Sequence, residues 1–315
     1  MNISGFELNE ETVSYLREKE SRGFNVPYSN FTTKQAREWS LTVVKHFSGS
    51  WPFDGNIKEI RGPSDQVPDG IPVTVYTPRD LPSKPIVWVY FHGGGWVVGC
   101  REGYDTLCRR VASSAKCIVL NVEYRLAPEH KFPACNDDAK SVVQWVMDNR
   151  GDIGGHPNSP VGVGGDSAGG AIATTVCYEV KGIAFQILVY PKVDTRLDRL
   201  SYKQFPEGPV LPRELLFWFF EQWLTKADYK NIRVNPQIRE ADGILPPALF
   251  IIAECDPIRD DSYDYEMKLR ESGAATELVI VPGVCHGFFG LIGHFKGSCD
   301  TAINAVVKFM KTHSL

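Results

Sequence analysis

Short apolar runs alternate with amphipathic helical patterns along most of the 315-residue chain. The run I-V-W-V-Y-F at 86–91 is apolar at every position, as in a strand that is buried on both faces of a sheet. Further short runs of the same kind predict strands at 71–78, 117–122, 160–164, 185–190, 248–255 and 276–281.

Helical patterns fill the intervals between most of these strands. They predict helices over 103–115, 135–150, 168–181, 260–273 and 298–312. Alternation of strand and helix is typical of an α/β fold with a mostly parallel sheet and helices on both faces. Ligands of such sheets bind at the carboxyl ends of the strands, so the loops that follow the strands are where chemistry is expected.

Two stretches interrupt the alternation. Residues 1–55 are aromatic-rich and predict helices without a strand pattern. Residues 195–245 contain prolines and an aromatic helical segment, L-L-F-W-F-F-E-Q-W-L at 215–224. We predict one domain over 1–315 in which these two stretches form a cap over the carboxyl edge of the sheet. The aromatic face could instead serve core packing alone.

Composition narrows the class of function. The chain is 43% hydrophobic and 23% charged with a formal net charge of -4, which is ordinary for a globular protein and gives no basic footprint for nucleic acid. We therefore expect a small-molecule substrate. The amino-terminal stretch lacks a signal-peptide pattern, and no run approaches the roughly 20 apolar residues of a membrane helix, so we expect a cytoplasmic protein without a membrane anchor.

Cysteine usage agrees with a reducing compartment. The eight cysteines stand at 100, 108, 117, 135, 177, 255, 285 and 299. None forms a C-x-x-C pair, so we expect buried free thiols and no zinc or other metal site. Nothing else in the chain calls for a cofactor.

A serine stands on a glycine-rich corner between a predicted strand and a predicted helix, in V-G-V-G-G-D-S-A-G-G at 161–170. Gly165, Ser167 and Gly169 match G-x-S-x-G, the nucleophile elbow. The chemistry requires glycines there, because side chains two residues from the serine would clash in so sharp a turn. We predict that Ser167 is a nucleophile; the alternative is a plain strand-to-helix connection.

A second glycine-rich loop follows the strand at 86–91 and reads H-G-G-G-W. Successive glycines let backbone N–H groups face one point, where they can stabilise a developing oxyanion. We predict Gly94, Gly95 and Ala168 as the donors, with His92 fixing the loop. A flexible glycine loop without this role is the alternative.

A serine nucleophile needs a base, and in this kind of fold the chain order is serine, acid, histidine. Asp256 directly follows the strand at 248–255, and His286 follows the strand at 276–281 on a glycine-flanked loop. We predict Asp256 as the acid and His286 as the base.

Neighbouring residues offer alternatives to both assignments. Glu254 lies within its strand, and Asp260 and Asp261 suit the first turn of the next helix, where acids complement the helix dipole. His294 also lies between Asp256 and the last helix, but it lacks the position directly after a strand.

Taken together, five motifs resemble the hormone-sensitive lipase family of α/β hydrolases, which includes bacterial carboxylesterases and arylacetamide deacetylases. They are H-G-G-G-W, Y-R-L-A-P-E-H at 124–130, G-D-S-A-G-G, D-P-I-R-D-D at 256–261 and C-H-G-F. The resemblance runs from about residue 70 to the carboxyl terminus. It implies an eight-stranded sheet, a mixed helical cap, and hydrolysis of carboxylic esters with short to medium acyl chains through an acyl-enzyme.

The resemblance also implies roles for other residues and leaves other functions open. Asp166 and Glu129 would support the reacting groups, and the family includes homodimers. Cap aromatics such as Phe217 and Trp218, together with Trp96, would contact substrate or simply pack the cap.

Two alternative functions share the fold. An arylamide deacetylase would use the same residues on an amide. Plant gibberellin receptors are non-catalytic and lack the histidine that His286 supplies here, so a receptor function is disfavoured.

Overall fold

The computed structural model describes residues 1–240 and 245–313 and is built around one large β-sheet. The strands are β1 (Asn2–Ile3), β2 (Phe6–Glu7), β3 (Gly55–Gly62), β4 (Ile71–Pro78), β5 (Val87–Phe91), β6 (Ile118–Val122), β7 (Val161–Asp166), β8 (Phe185–Val189), β9 (Ala248–Cys255) and β10 (Thr276–Cys285). The α-helices are α1 (Glu10–Ser21), α2 (Thr33–Ser48), α3 (Asp105–Ala115), α4 (Ala134–Asp148), α5 (Ala168–Glu179), α6 (Leu200–Gln204), α7 (Arg213–Trp223), α8 (Arg259–Glu271) and α9 (Lys296–Thr312).

The main sheet has eight strands in the order β10-β9-β8-β7-β5-β6-β4-β3. Strands β5 to β10 pair in parallel, whereas β4 is antiparallel to both of its neighbours, β3 and β6. The prediction of a mostly parallel eight-stranded sheet is confirmed. The parallel strands all end at the same edge, and the loops that follow β5, β7, β9 and β10 therefore lie together.

Both faces of the sheet are covered, which explains why its central strand β5 is apolar throughout. Every residue of β5 is buried. Val89 and Phe91 pack into one core with residues of α4, α5 and α8, whereas Trp88 and Tyr90 pack into a second core with residues of α3 and α9. This arrangement confirms the predicted helices on both faces.

The structure contains a strand that the sequence pattern did not indicate. β3 reads G-N-I-K-E-I-R-G and forms the sheet edge beside β4. Its large apolar residues, Ile57 and Ile60, are three positions apart, and most of the strand is exposed. Period-two alternation is absent because neither face of this edge strand is fully buried.

Two details of the predicted elements were wrong. Residues 1–55 do contain strand, since β1 and β2 form a short antiparallel pair with Ile3 opposite Phe6; two residues a strand are too few to show a period. In addition, β10 continues to Cys285 rather than ending at 281, because pairing with β9 resumes after an irregularity between Val281 and Cys285.

The N-terminal segment and residues 195–245 meet above the carboxyl edge of the sheet. The ring of Tyr28 lies 5.9 Å from that of Trp218 and 6.1 Å from that of Phe219, centroid to centroid. Both segments contribute walls to the cavity that contains Ser167. Residues 241–244 of the predicted cap lie outside the described residues.

Within residues 1–240 and 245–313, no helix is both long enough and apolar enough to cross a membrane.

Candidate active site

Ser167 occupies the sharp corner between β7 and α5. Its backbone has φ 54° and ψ -117°, a conformation that a residue with a side chain rarely adopts. The flanking glycines permit the turn, since a Cβ at Gly165 or Gly169 would overlap the carbonyl of Phe91 at the end of β5. The predicted strand–turn–helix context of the serine is therefore present.

Ser167, His286 and Asp256 form a continuous hydrogen-bonded chain. His286 Nε2 lies 3.0 Å from Ser167 Oγ, and His286 Nδ1 lies 2.7 Å from Asp256 Oδ2. Asp256 directly follows β9 and His286 directly follows β10, so neighbouring parallel strands bring together residues that are 30 positions apart. Asp256 is fully buried, and its Oδ1 accepts the Ile258 N–H at 3.0 Å.

The alternative acids and the alternative histidine have other partners. Glu254 accepts the backbone N–H of Gly283 at 2.8 Å, and Asp260 accepts that of Ser201 at 2.8 Å. Asp261 lies 2.6 Å from Lys192 Nζ. His294 Nε2 lies 2.9 Å from the carbonyl oxygen of Glu11. Each of these side chains is thus engaged away from Ser167.

The H-G-G-G-W loop presents backbone donors beside the serine. Gly94 and Gly95 have φ of 122° and 58°, values that favour glycine. The Gly94 carbonyl accepts the N–H groups of Val97 and Val98, which closes the loop into a tight turn. Among the described residues, no acceptor is bonded to the N–H of Gly94, Gly95 or Ala168.

Asp166 fixes this loop from below. Its Oδ1 accepts the Gly93 N–H at 2.7 Å and the Tyr90 hydroxyl at 2.6 Å, and its Oδ2 accepts the Tyr104 hydroxyl at 3.0 Å. Burial raises the pKa of Asp166, and the hydrogen bonds from the two tyrosines oppose that rise. His92 is also buried, with its ring stacked on that of Tyr124 at a centroid distance of 4.4 Å.

A cavity of about 730 Å³ lies above these groups. Ser167 and His286 line it together with Gly94 and Gly95. Residues of the N-terminal segment and of 207–219 complete the lining. Trp218 lines the cavity, and its contact with substrate stays a prediction. Trp96 also borders it, but its ring is buried and stacks on Trp223 rather than standing free.

The structure does not support the assignment of Phe217 to the substrate pocket. Its side chain is 47% exposed and is not part of the cavity lining. It lies instead on the outer face of α7, with its ring 5.5 Å from the Arg213 guanidinium. The next residues of α7, Trp218 and Phe219, face inward, because successive helical residues point about 100° apart.

Residues 88–290 match the family described as alpha/beta hydrolase fold. The chain belongs to the α/β-hydrolase family. Curated relatives include an ethyl acetate hydrolase of Pseudomonas putida, which is 34% identical over 77% of this chain and 79% of its own length. A carboxylesterase of Mycobacterium tuberculosis, NlhH, is 36% identical over 69% of this chain and 71% of its own length.

Solved structures of similar fold superpose on nearly the whole chain of this hydrolase. An ester-hydrolase from the metagenome of Lake Arreo, complexed with a bipyridine phosphonate derivative, superposes with a TM-score of 0.89 at 31% identity over 97% of this chain and 99% of that one. A hyperthermophilic esterase from the archaeon Pyrobaculum calidifontis superposes with a TM-score of 0.88 at 30% identity over 98% and 99%. The resemblance drawn from the motifs is confirmed.

Sequence reasoning missed the residue that ties the N-terminal segment of this hydrolase to the glycine loop. Arg37 of α2 donates to the Val97 carbonyl at 2.8 Å and to the Ala127 carbonyl at 2.7 Å, and its guanidinium also binds the Glu129 carboxylate. Glu129 thus acts through Arg37 and not on the reacting groups. The motif Y-R-L-A-P-E-H supplies both Ala127 and Glu129, but no local signal marks Arg37 as their partner.

A buried charge cluster lies beside the elbow and was likewise not predicted. Lys192 follows β8, and its backbone N–H donates to the Ser167 carbonyl at 3.2 Å. Its ammonium pairs with Asp261, which also lies 3.0 Å from Arg199. Burial lowers the pKa of Lys192 and raises that of Asp261, while their mutual attraction opposes both shifts.

In the part of the chain that the structure describes, no cluster of three or more histidine, cysteine, aspartate or glutamate side chains could hold a metal ion.

Proposed function

We propose that this α/β hydrolase cleaves carboxylic esters with Ser167 as nucleophile, His286 as base and Asp256 as orienting acid. The observation that carries the proposal is the unbroken chain from Ser167 Oγ through the imidazole to the buried Asp256 carboxylate, with spacings of 3.0 and 2.7 Å. The relatives named as carboxylesterase and ethyl acetate hydrolase support the same reaction class.

In the acylation step, Ser167 Oγ attacks the ester carbonyl carbon while His286 Nε2 takes its proton. Asp256 accepts the Nδ1–H, which holds the ring in the tautomer whose Nε2 is a free base and stabilises the imidazolium that forms. The carbonyl-to-alkoxy bond then breaks, and His286 returns the proton to the departing alcohol. The acyl group remains on Ser167.

The tetrahedral intermediate carries negative charge on the former carbonyl oxygen. We assign the N–H groups of Gly94, Gly95 and Ala168 as its donors, because they border the serine and have no described protein acceptor. Each such donor is worth about 2.7–4 kcal/mol of transition-state stabilisation. The start of α5 at Ala168 adds the positive end of its helix dipole.

Deacylation repeats the chemistry with water in place of the alcohol. His286 removes a proton from the water as it attacks the acyl carbon, and the proton then returns to Ser167 Oγ as the carboxylic acid leaves. No cofactor enters either half of the cycle.

The N-terminal segment and residues 195–245 form the proposed cap. They enclose much of a cavity of about 730 Å³, which suits acyl chains of short to medium length in a small ester. Trp218 and Phe219 provide apolar contact area over the glycine loop.

A series of 4-nitrophenyl esters from acetate to laurate, assayed with wild type and with Ser167→Ala, tests the proposal. We expect a maximum at short or medium chain length and a loss in kcat/KM of more than about 1,000-fold in the variant. 4-Nitroacetanilide in the same assay separates esterase from amidase, since a faster anilide would favour deacetylase function. A folded wild type that cleaves neither ester nor anilide would contradict the proposal.

We propose in addition that two copies pair through the β10 edges of their sheets. Within the described residues, no strand pairs with the outer edge of β10, although the N-terminal segment covers its end at Gly283; Leu278 and Ile280 are 36% and 42% exposed on it. Unpaired backbone groups and apolar side chains on one edge are what a second copy could cover by two-fold symmetry. Light scattering should give a dimer for wild type and a monomer for Ile280→Lys; a monomeric wild type contradicts the pairing.

A cytoplasmic location is proposed on the strength of the thiols. All eight cysteines are free, and seven of them are buried. Fractionation of the producing cells should place the activity in the cytoplasmic fraction, and recovery from an exported fraction would contradict this.

A further inference from the structure

Two lysines line the catalytic cavity, and within the described chain only one of them is paired with a carboxylate. Lys192 Nζ lies 2.6 Å from the Asp261 carboxylate. Lys19, near the end of α1, has no carboxylate oxygen within 4.0 Å among the residues that the structure describes. Its Nζ lies 5.6 Å from the centroid of the Tyr15 ring, one helical turn earlier. Among the described residues, the cavity lining therefore contains one lysine that is paired with a carboxylate and one that is not.

The side chain of Lys19 is partly desolvated, and no described carboxylate lies beside its ammonium to compensate. The residue is half-buried, and burial lowers the pKa of its ammonium, an effect that the nearby Cys285 thiol partly offsets. The other charged side chains of the outer cavity wall, Arg17, Glu20, Glu207 and Glu214, are all exposed. They lie at the rim, where solvent screens them.

The position of Lys19 relative to the triad follows from how α1 is held. The carbonyl of Gly283 in β10 accepts the Asn9 N–H at 3.0 Å and the Thr12 hydroxyl at 2.9 Å. α1 is thus fixed against the strand that ends directly before His286, and Lys19 lies two turns further along the helix. Because His286 gives its proton to the leaving oxygen, the alcohol portion of an ester lies beside His286, and Lys19 and His286 line the same cavity.

We propose that Lys19 is a specificity residue that binds a carboxylate carried on the alcohol portion of the substrate. The preferred substrates are then short acyl esters of hydroxy acids. The inference rests on the proposed ester hydrolysis and adds the substrate class. An anionic group in this place restores the charge balance that the ammonium lacks in the free protein, and it does so in a partly desolvated site where ion pairs are stronger than in water.

Position on the helix gives Lys19 a competing, purely structural role. A lysine in the last turn of a helix interacts favourably with the carbonyl end of the helix dipole. That role would leave the choice between charged and neutral substrates unaffected, so the two roles can be separated by experiment.

The experiment compares acetate esters of hydroxy acids with their uncharged amides. The probes are 4-acetoxybutanoate, 5-acetoxypentanoate and 6-acetoxyhexanoate, each beside the corresponding acetoxy amide, with acetate release as the readout at low ionic strength. The enzymes are wild type, Lys19→Met, and Lys34→Met as a matched control. Lys34 lies in the exposed first turn of α2, away from the cavity lining.

We expect wild type to prefer at least one carboxylate over its amide by about ten-fold in kcat/KM, mainly through KM. Lys19→Met should abolish that preference while leaving the amide rates within about two-fold, and Lys34→Met should retain it. An equal preference in wild type and Lys19→Met, or a wild type that favours the amides, would overturn the inference.

Hydrolysis of 4-nitrophenyl butyrate by the same preparations distinguishes failure of the Lys19 inference from failure of the proposed ester hydrolysis. If wild type cleaves this ester but none of the acetoxy acids, the inference about Lys19 is overturned and ester hydrolysis stands. If wild type cleaves no ester at all, the proposed function fails and the inference falls with it.

Discussion

The indole of Trp96 stacks on that of Trp223, with ring centroids 3.7 Å apart and planes 7° from parallel. Trp96 belongs to the glycine loop and Trp223 ends α7, so this contact joins the proposed oxyanion donors to the proposed cap. Both rings are buried. The proposed cap thus packs against the glycine loop as well as forming a wall of the cavity.

Trp223→Ala should therefore reduce both stability and activity. Loss of a buried tryptophan costs about 3–5 kcal/mol in the free energy of unfolding, and the loop loses its stacking partner. We expect a lower Tm and a lower kcat, with Trp223→Phe intermediate in both. Thermal unfolding and ester kinetics on the two variants provide the check, and a Trp223→Ala enzyme with unchanged kcat would show that the loop does not depend on the stack.

Gly95→Ala should impair catalysis at a second contact between cap and loop. A Cβ at Gly95 would overlap the ring of Phe219, and the backbone φ of 58° is unfavourable for alanine. Displacement of either partner moves the Gly95 N–H, so we expect kcat to fall by about 100-fold. Gly151→Ala is the matched control, because a Cβ there meets nothing within 4 Å. Similar kinetics for the two variants would argue against the Gly95 assignment.

Asp166→Asn should slow the reaction without removing a reacting group. The amide nitrogen of asparagine cannot accept the Tyr104 hydroxyl proton. The hydroxyl oxygen can only accept from that amide, which leaves the hydroxyl proton without its partner in a buried site at a cost of about 1–3 kcal/mol. We expect kcat to fall about ten-fold while KM changes little. Tyr104→Phe removes the same hydrogen bond without leaving an unpartnered hydroxyl proton and should be milder; the reverse order would contradict this explanation.

In the buried charge cluster, loss of Asp261 should destabilise the protein more than loss of Lys192. Asp261→Asn leaves Lys192 buried without a carboxylate and should cost about 3–5 kcal/mol in the free energy of unfolding. Lys192→Met should cost less, because Asp261 retains Arg199 at 3.0 Å. Asp54→Asn, at an exposed pair with Arg79, should cost about 0–1 kcal/mol. Urea unfolding measures all three, and equal losses for the two buried variants would contradict the asymmetry.

The hydrogen-bonded arrangement of the three proposed catalytic residues could be predicted because each stands at a position that the fold dictates. Ser167, Asp256 and His286 each directly follow a strand, and their order along the chain matches that of the fold. Seven of the eight strands of the main sheet could be predicted from their short apolar runs, and the exception is β3. That edge strand buries too little surface to leave a period in its sequence.

The residues that sequence reasoning missed depend on partners far away in the chain. Arg37 meets Glu129 across 92 positions, and Lys192 meets Asp261 across 69. No local pattern encodes such pairs. Phe217 was assigned to the pocket because four successive aromatics, 217–220, leave the inward face of the helix undetermined until its neighbours are known.

The most direct test of the account is covalent labelling of the nucleophile. A 4-nitrophenyl alkylphosphonate should release one equivalent of 4-nitrophenolate from wild type, as Ser167 Oγ displaces it at phosphorus, and the adduct should map to the peptide that contains Ser167. Activity should disappear in proportion to the label, and Ser167→Ala should remain unlabelled. Equal labelling of a folded Ser167→Ala protein, or a folded wild type that takes up no label, would contradict the assignment of Ser167 as nucleophile.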